Sequence, residues 1–534
     1  MQYRQVVVVG CGPAGLASAI EAAKAGAKVT IIDENARPGG QLFKQIHKFF
    51  GSKEHYAGMR GFNIGIEMLK RAEELGIEVM LDSVVYGIFE DKTLGVITNG
   101  SNVSIKAEKI VLATGASENA LEFPGWTLPG VMGAGAAQTM VNLHRVLPGH
   151  RCLMVGSGNV GLIVSYQLVQ AGAEVVAIVE ADSKVGGYSV HAEKIRRAGV
   201  PILLSHTIKE AKGKESVEEV TLIRLDEKWQ AIPGTERTLS VDFVCLAVGL
   251  TPLIELGCLA NCECKYVSEL GGHTILHDEN MEITVSGIYA AGDCTGVEEA
   301  SIAMEQGRLA GISIAENLGL INGVQAAEKK ALIRDRMEEL RGKAVFCASL
   351  ADEGRKDEGL SEATGSGALG EVSSKALKNC PGYPSEERFQ KGPVAVIECI
   401  QEIPCDPCAY ACSQGAISVG RPITRLPRLD EEKCTGCGLC IPSCPGLAIF
   451  VVDKTYSPRE ALLQLPYEFL PLPKKDEKVD CLDRCGRKVT EGKVIKVINP
   501  RRSDHTAIVS IVLNKRYVDE VRAILSRRGR DGRG

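Results

Sequence analysis

The sequence predicts an α/β protein in which two parallel, doubly wound domains precede a small cysteine-rich module. Three observations predict it. A buried strand, glycine loop and helix occur near the N-terminus, the same unit recurs about one domain later, and eight of the nineteen cysteines fall between Cys399 and Cys444.

The 534 residues are too many for one ordinary domain. A hydrophobic content of 45% with 24% charged residues is that of a globular chain. The formal net charge of −5 is small, and no Lys/Arg block precedes the last residues, so nothing points to nucleic acid. The basic, Gly-rich tail Ser526–Gly534 reads as a frayed terminus. No window approaches eighteen apolar residues, so no membrane span is expected. The N-terminal apolar run lacks a cleavage site and reads as a strand, not a signal peptide. Cysteines grouped for metal, with no secretion signal, predict a cytoplasmic location.

Val6 to Val9 is a buried strand that leads into Gly10-Cys11-Gly12-Pro13-Ala14-Gly15, with a helix from Leu16 to Ala25. The first glycine permits a tight turn, the second lets a pyrophosphate approach the backbone, and the third lets helix and strand pack closely. Phosphates would then sit at the helix N-terminus, where free N–H groups favour negative charge. The strand Lys28 to Ile32 ends at Asp33-Glu34, placed for a carboxylate to bind ribose hydroxyls. Pro38-Gly39-Gly40-Gln41 follows and suits a loop against a flavin. A helix around Met59 to Leu75, a strand Glu78 to Leu81 and a β segment through Val84 to Ile97 come next. Lys109 to Ala116 is a further buried strand, ending in Thr114-Gly115.

The Pro/Gly-rich crossing Pro124–Gly130 reads as a hinge. Beyond it, Arg151 to Val155 is a strand, Gly156-Ser157-Gly158-Asn159-Val160-Gly161 repeats the loop, and the strand Glu174 to Val179 ends at Glu180. Two dinucleotides, each on its own sheet, are expected. A carboxylate at Glu180 favours ribose hydroxyls and repels a 2′-phosphate, and no Arg cluster follows it, so NAD is expected over NADP. Val244 to Pro252, with Gly249 at its turn, closes this domain. Gly287 to Cys294 is another strand, ending in Gly292-Asp293, and Glu298 to Asn317 is a helix with small residues on its packing face. An acid at that strand end can bind a flavin's ribityl chain, with the helix N-terminus facing the ring.

The second cysteine run is Cys434-x2-Cys437-x2-Cys440-x3-Cys444-Pro445 and the first is Cys399-x5-Cys405-x2-Cys408-x3-Cys412. Two-residue gaps let a tight loop place three thiolates on one iron–sulfur cube, while the fourth cysteine serves the other cube. One cluster is therefore assigned Cys434, Cys437, Cys440 and Cys412, and the other Cys399, Cys405, Cys408 and Cys444. Zinc also favours paired C-x2-C spacing, but with two pairs across a longer span. The five-residue gap after Cys399 and Ser413 in place of proline leave Cys380 as an alternative fourth ligand. Cys258, Cys262 and Cys264 fit neither template, and Cys481 and Cys485 lack further partners; both groups read as structural.

With these residues in view, residues 1 to about 330 resemble two-dinucleotide flavoproteins of the thioredoxin reductase type, through GCGPAG, PGGQ, the ATG strand, GSGNVG and the AGD strand. Within that group, Phe123 to Gln138 (FPGWTLPGVMGAGAAQ) resembles the α subunits of sarcosine oxidase, opine oxidase, hydrogen cyanide synthase and dye-linked proline dehydrogenase. The group's disulfide reductases carry a C-x2-C pair against the flavin; here Cys152 and Cys245 lie far apart in sequence, so the chain is not read as a thioredoxin reductase. The resemblance implies FAD at Gly10, Gly12, Gly15, Asp33, Gly40, Gln41, Thr114 and Asp293, and NAD or a structural adenine nucleotide at Gly156, Gly158, Gly161 and Glu180. It implies a hetero-oligomer with a partner chain, an amino-acid-oxidase-like flavoprotein that oxidises a secondary amine or imino acid. A further partner in that assembly would be a small iron–sulfur subunit.

The domains expected are 1–120 with 280–330 for FAD, 121–279 for NAD, a 331–391 connection that holds the Gly/Ser-rich stretch Ala351–Ser374, a 392–455 ferredoxin-like module with two [4Fe–4S] clusters, and a small 456–534 α+β segment. Within that last segment a closing helix is expected from Val518. No Ser/His/Asp or Cys/His constellation nominates a catalytic side chain. The functions that fit are an electron-relay subunit of an amine or imino-acid dehydrogenase, a self-contained NADH:acceptor reductase, or a scaffold holding an adenine nucleotide.

Overall fold

The computed structural model describes residues 2–342 and 377–526; the linker expected at Ala351–Ser374 and the tail after Ser526 lie outside the described residues. Contacts divide the chain into two compact units. The first takes 1–46, 60–118 and the described residues from 249 to 342; the second takes 47–59, 119–248 and the described residues from 377 onward.

The first unit is built on a seven-stranded sheet whose parallel part aligns Glu78–Met80, Val29–Ile32, Gln2–Val9, Ser101–Leu112 and Ile288–Ala290. The hairpin Ser83–Ile88/Thr93–Thr98 extends it antiparallel. Val9 pairs with Ile32 and with Leu112, and Leu112 pairs with Ala290, so four strands end level at one edge. In open parallel sheets the ligand crevice lies at that edge, outside the carboxyl ends of the strands. The strands are near-continuous apolar runs, with Val6, Val7 and Val8 fully buried, the pattern of parallel strands that are covered on both faces. The helices Pro13–Lys24 and Ala300–Asn317 approach closely: a Cβ on Gly307 would lie 2.2 Å from the Ala14 carbonyl oxygen, and one on Gly311 2.4 Å from that of Ser18. Glycine at both positions is what lets the helices meet at this distance.

In the second unit, Ile202–Leu204, Glu174–Glu180, Arg151–Val155, Phe243–Leu246 and Val131–Gly133 form an all-parallel sheet. A separate antiparallel sheet of seven strands runs in the order Val394–Ile397, Ile449–Asp453, Glu460–Tyr467, Ala507–Asn514, Lys488–Ile498, Lys478–Leu482 and Ala523–Ser526. Ile397 pairs with Ile449, so the whole run from Cys399 to Cys444 is inserted between two hydrogen-bonded neighbours.

Four expectations about organisation differ from the structure. The second dinucleotide segment ends at Val248, not at 279, because Leu250–Pro252 pairs with Ala116–Glu118 inside the first unit. Residues 47–59 leave the first unit and join the second. The 392–455 module and the 456–534 segment are not separate, since one sheet spans both. No helix begins at Val518: Ala523–Ser526 pairs as an edge strand with Lys478–Leu482, and the preceding Arg522 is drawn into the interior by Glu398, 2.6 Å away.

Candidate functional site

The two glycine loops are built alike. Gly10 has φ +105° and Gly156 φ +102°, conformations that favour glycine. A Cβ on either would lie 2.2 Å from a carbonyl oxygen of the neighbouring strand end, Ala113 in one case and Ala247 in the other. A Cβ on Gly15 would fall 1.9 Å from the Gly10 oxygen, and one on Gly161 2.1 Å from the Gly156 oxygen. Gly12 and Gly158 face open space, which leaves the loop backbone approachable by a pyrophosphate.

The acids at the ends of the second strands match as well. Asp33 Oδ2 accepts the Cys11 N–H at 2.6 Å, and Glu180 Oε2 accepts the Ser157 N–H at 2.8 Å. Each carboxylate therefore braces its glycine loop while keeping lone pairs for ribose hydroxyls. Asp33 Oδ1 also takes the backbone and side-chain N–H groups of Asn35 at 2.8 Å. Asn159 Oδ1 accepts the Tyr188 N–H at 2.7 Å, which folds the segment after Glu180 over the second loop. In the first unit, the Gly39 N–H donates to the Cys11 oxygen, and a Cβ on Gly40 would lie 2.8 Å from the Gly12 Cα, so Pro38–Gln41 lies against the first loop. Pro13 and Ala14 open the helix, and Glu34 is exposed beside it.

Thr114, Gly115, Gly292 and Asp293 follow the strand ends at the same sheet edge. The Thr114 hydroxyl donates to the Leu253 carbonyl at 2.7 Å, and Gly115 has φ +78°. Gly292 has φ +81° and donates its N–H to Gln306 at 2.8 Å. Burial pushes the Asp293 carboxyl up to about 6. Gly249, expected in the second domain, has φ +108° and falls in the first unit, where the pairing of Leu250–Pro252 carries it.

The eight cysteines of the two runs line two cavities. One is lined by Cys412, Cys434, Cys437 and Cys440 with Gly436, Gly438 and Gln414. The other is lined by Cys399, Cys405, Cys408 and Cys444, with Phe50, Val190 and Arg425 in its wall. The last cysteine of each run thus lines the other run's cavity, and Cys380 lines neither. Positive φ at Gly436 and Gly438 turns the chain tightly enough to aim three thiols inward. Backbone N–H groups reach the sulfurs: Ala416 to Cys412 at 3.2 Å, Ala395 to Cys434 at 3.4 Å and Ala448 to Cys444 at 3.4 Å. Burial pushes the Cys408 thiol up to about 12, so a thiolate there calls for cationic iron.

Several neighbours of these cavities carried no sequence signal. Residues 47–59 bring Phe50 and Lys48, whose ammonium donates to the carbonyls of Pro442 and of Ser503, the latter at 2.9 Å. Glu398, directly before Cys399, is buried between Arg484 (3.1 and 2.5 Å) and Arg522 (2.6 Å). Burial would raise its carboxyl, but the two guanidinium groups outweigh that and hold it down to about 2.

The remaining thiols sort by surroundings. Cys152 and Cys245, distant in sequence, stand on adjacent strands and are fully buried in the core. Cys481 is a core residue of the seven-stranded antiparallel sheet. Cys258, Cys262 and Cys264 do come together, with Sγ···Sγ distances of 3.7 Å (Cys258–Cys264) and 3.9 Å (Cys262–Cys264). Cys258 is exposed, whereas Cys11, Cys152, Cys245, Cys294 and Cys481 are buried. Brief treatment of the native protein with iodoacetamide is therefore expected to label Cys258 before any of those five, read by peptide mass; earlier labelling of a buried thiol would contradict the packing.

The model of the pyridine nucleotide-disulphide oxidoreductases matches residues 4–307, and that of the 4Fe-4S binding domains matches 427–450. One subunit of the opine oxidase of Agrobacterium tumefaciens is 29% identical over 364 residues, covering 65% of this chain and 72% of that one. The HcnB subunit of the hydrogen cyanide synthase of Pseudomonas aeruginosa is 28% identical over 356 residues, covering 63% and 76%. Among solved structures, the thioredoxin reductase of T. acidophilum aligns with a TM-score of 0.49 at 21% identity, covering 60% of this chain and 99% of that one.

Proposed function

The chain belongs to the pyridine nucleotide-disulphide oxidoreductase family, and on that premise we propose that it is the electron-relay subunit of an amine or imino-acid dehydrogenase complex. It is an FAD-dependent oxidoreductase with an iron–sulfur domain. The observation that carries the proposal is the pairing of two equivalent nucleotide loops with two four-thiol cavities in one chain. When bound, the flavin supplies the conversion between two-electron chemistry at a nicotinamide and the single electrons that iron–sulfur clusters carry.

In this reading the chain's residues divide the work. Gly10, Gly12 and Gly15 admit the FAD pyrophosphate to the N-terminus of the helix Pro13–Lys24, and Asp33 holds the adenosine ribose. Gly40, Gln41, Thr114 and Gly115 border the flavin, and Asp293 bonds its ribityl chain. The N-terminus of Ala300–Asn317 offers its dipole to the charge a reduced flavin carries. Gly156, Gly158, Asn159, Gly161 and Glu180 hold NAD. Cys412, Cys434, Cys437 and Cys440 bind one cluster, and Cys399, Cys405, Cys408 and Cys444 the second.

The relatives bear the names of oxidase and synthase subunits, and this favours a partner chain that oxidises the amine at its own flavin. Among the described residues no helix is long and apolar enough to cross a membrane, and a cytoplasmic place suits clusters that need reduced thiols.

An anaerobic titration of the purified holoprotein with NADH, followed by visible absorbance and EPR, tests the relay. Bleaching of the flavin with the appearance of reduced-cluster signals is expected. Reduction of both centres by dithionite and of neither by NADH would show that the second loop is not a hydride site, and electrons would then enter from another protein.

A further inference from the structure

Three thiols that belong to neither a glycine loop nor a cysteine cage meet in the first unit. Cys264 Sγ lies 3.7 Å from Cys258 Sγ and 3.9 Å from Cys262 Sγ. Cys258 sits on the five-residue helix Glu255–Leu259 and is exposed, whereas Cys262 and Cys264 are half-buried against the core of the unit. Asn261 has φ +60° and donates its N–H to the Cys258 carbonyl at 3.0 Å, which turns the chain back from the helix. Gly257 lets the helix settle on the returning segment, since a Cβ there would lie 2.9 Å from Cys262 Sγ.

The two sides of this cluster are held differently. Cys264 opens the strand Cys264–Val267 and pairs with Ile275 across an antiparallel ladder. Beside it, the Glu263 N–H donates to the Thr284 hydroxyl at 2.9 Å, and the Glu263 carbonyl accepts the Leu276 N–H at 3.0 Å. Cys258 stands on a helix of little more than one turn, with its side chain in solvent. A disulfide has a sulfur–sulfur distance of about 2 Å. Rotation of the exposed Cys258 side chain can supply that approach while the Cys264 ladder stays in place.

We infer that Cys258 and Cys264 form a thiol–disulfide exchange site whose substrate is a low-molecular-weight disulfide of the glutathione type. The Cys258 sulfur attacks one sulfur of that disulfide, whose S–S bond breaks, and the first small thiol leaves with the Cys258 proton. A mixed disulfide at Cys258 remains. Cys264 then attacks the Cys258 sulfur, the mixed bond breaks, and the second small thiol leaves with the Cys264 proton. The chain gives up two electrons and two protons as the Cys258–Cys264 bond forms, and the small disulfide takes both.

The surroundings set the order of the two attacks. Burial pushes the Cys262 thiol up, and burial together with the Cys262 and Cys258 sulfurs does the same to Cys264. Both stay protonated at rest, so the exposed Cys258 opens the reaction and Cys264 resolves it. Cys152 and Cys245 supply the contrast inside the same chain. They too stand on adjacent strands, but burial on every side keeps a small disulfide from reaching them. The exchange uses no nucleotide and no cluster ligand, and it stands apart from the electron-relay proposal.

The test is anaerobic incubation of the holoprotein with glutathione disulfide, then acid quenching, alkylation and peptide mapping by mass without reduction. Cleavage after Glu263 parts Cys264 from Cys258 and Cys262, and fragmentation identifies the residue left alkylated. Wild-type protein should yield a Cys258–Cys264 bond with Cys262 alkylated, and excess glutathione should reverse it. Cys264→Ser should stop at the mixed disulfide, with glutathione on Cys258. Cys258→Ser should lose both products, and Cys262→Ser should behave as wild type. Flavin absorbance in each variant checks that the unit is folded, and Cys152 and Cys245 should remain thiols throughout. Glutathione left on Cys258 of the wild-type protein, a Cys262–Cys264 bond in its place, or an unchanged peptide would overturn the inference. Zinc held by the wild-type protein and lost from Cys264→Ser would overturn it as well, because the thiols would then be metal ligands.

Discussion

Gly15→Ala protein is expected to purify without flavin, while Gly161→Ala protein keeps its flavin and loses reduction by NADH. The added methyl group at Gly15 would sit 1.9 Å from the Gly10 oxygen, and that at Gly161 2.1 Å from the Gly156 oxygen. In both cases the obstructing atom is backbone, so no rotamer change relieves the contact. The helix must retreat from its strand, and overpacking of this kind costs about 1–3 kcal/mol or more. That retreat also carries the helix N-terminus away from the phosphates it would hold. A loss of at least tenfold in nucleotide affinity follows for either variant, since about 1.4 kcal/mol is tenfold. Flavin content measured by absorbance and NADH reduction measured by stopped flow separate the two sites. Equal damage to both readouts in both variants would refute the assignment of one nucleotide to each loop.

The reason these loops could be read from sequence is the same close approach. The third glycine of each loop answers a local contact, Gly15 with the Gly10 oxygen and Gly161 with the Gly156 oxygen, between a turn and the helix that follows it. The acid at Asp33 or Glu180 lies one strand further on and is still local. The thiol cages are legible for a related reason, because two-residue gaps aim cysteines into one loop. What escaped depends on pairing across long separations. Residues 47–59 read as an ordinary stretch of the first domain, yet Gly51 bridges to Cys405 in the second unit. The segment after Val518 has a helical composition, but the open edge of Lys478–Leu482 takes Ala523–Ser526 as a strand. Glu398 and Arg522, 124 positions apart, form a buried ion pair whose partners neither motif nor periodicity announces. Cys258 and Cys264 meet because a short helix, Glu255–Leu259, turns back onto the strand Cys264–Val267, and their spacing matches no metal template.

The crossing of ligands between the two cysteine runs makes the second large prediction. Cys412 belongs to the first run in sequence but lines the cavity of Cys434, Cys437 and Cys440, and Cys444 lines that of Cys399, Cys405 and Cys408. If ligation followed sequence, Cys412→Ala would empty the first run; with crossed ligation it empties the second. Loss of one of four thiolates leaves an iron corner open, and iron should fall from about eight to about four per chain in either Cys412→Ala or Cys444→Ala. Iron content alone therefore cannot tell which cage is lost, but alkylation can. A bound thiolate is shielded from iodoacetamide, and a thiol released from its cluster is not. In Cys412→Ala the newly labelled residues should be Cys434, Cys437 and Cys440, with Cys399, Cys405, Cys408 and Cys444 protected. In Cys444→Ala the pattern should reverse, with Cys399, Cys405 and Cys408 labelled. Labelling of Cys399, Cys405 and Cys408 in Cys412→Ala would mean that each run feeds its own cluster. The fold argues against that outcome, because the short helix Pro407–Ala411 carries Cys412 out of the cavity that Cys408 lines and into the other.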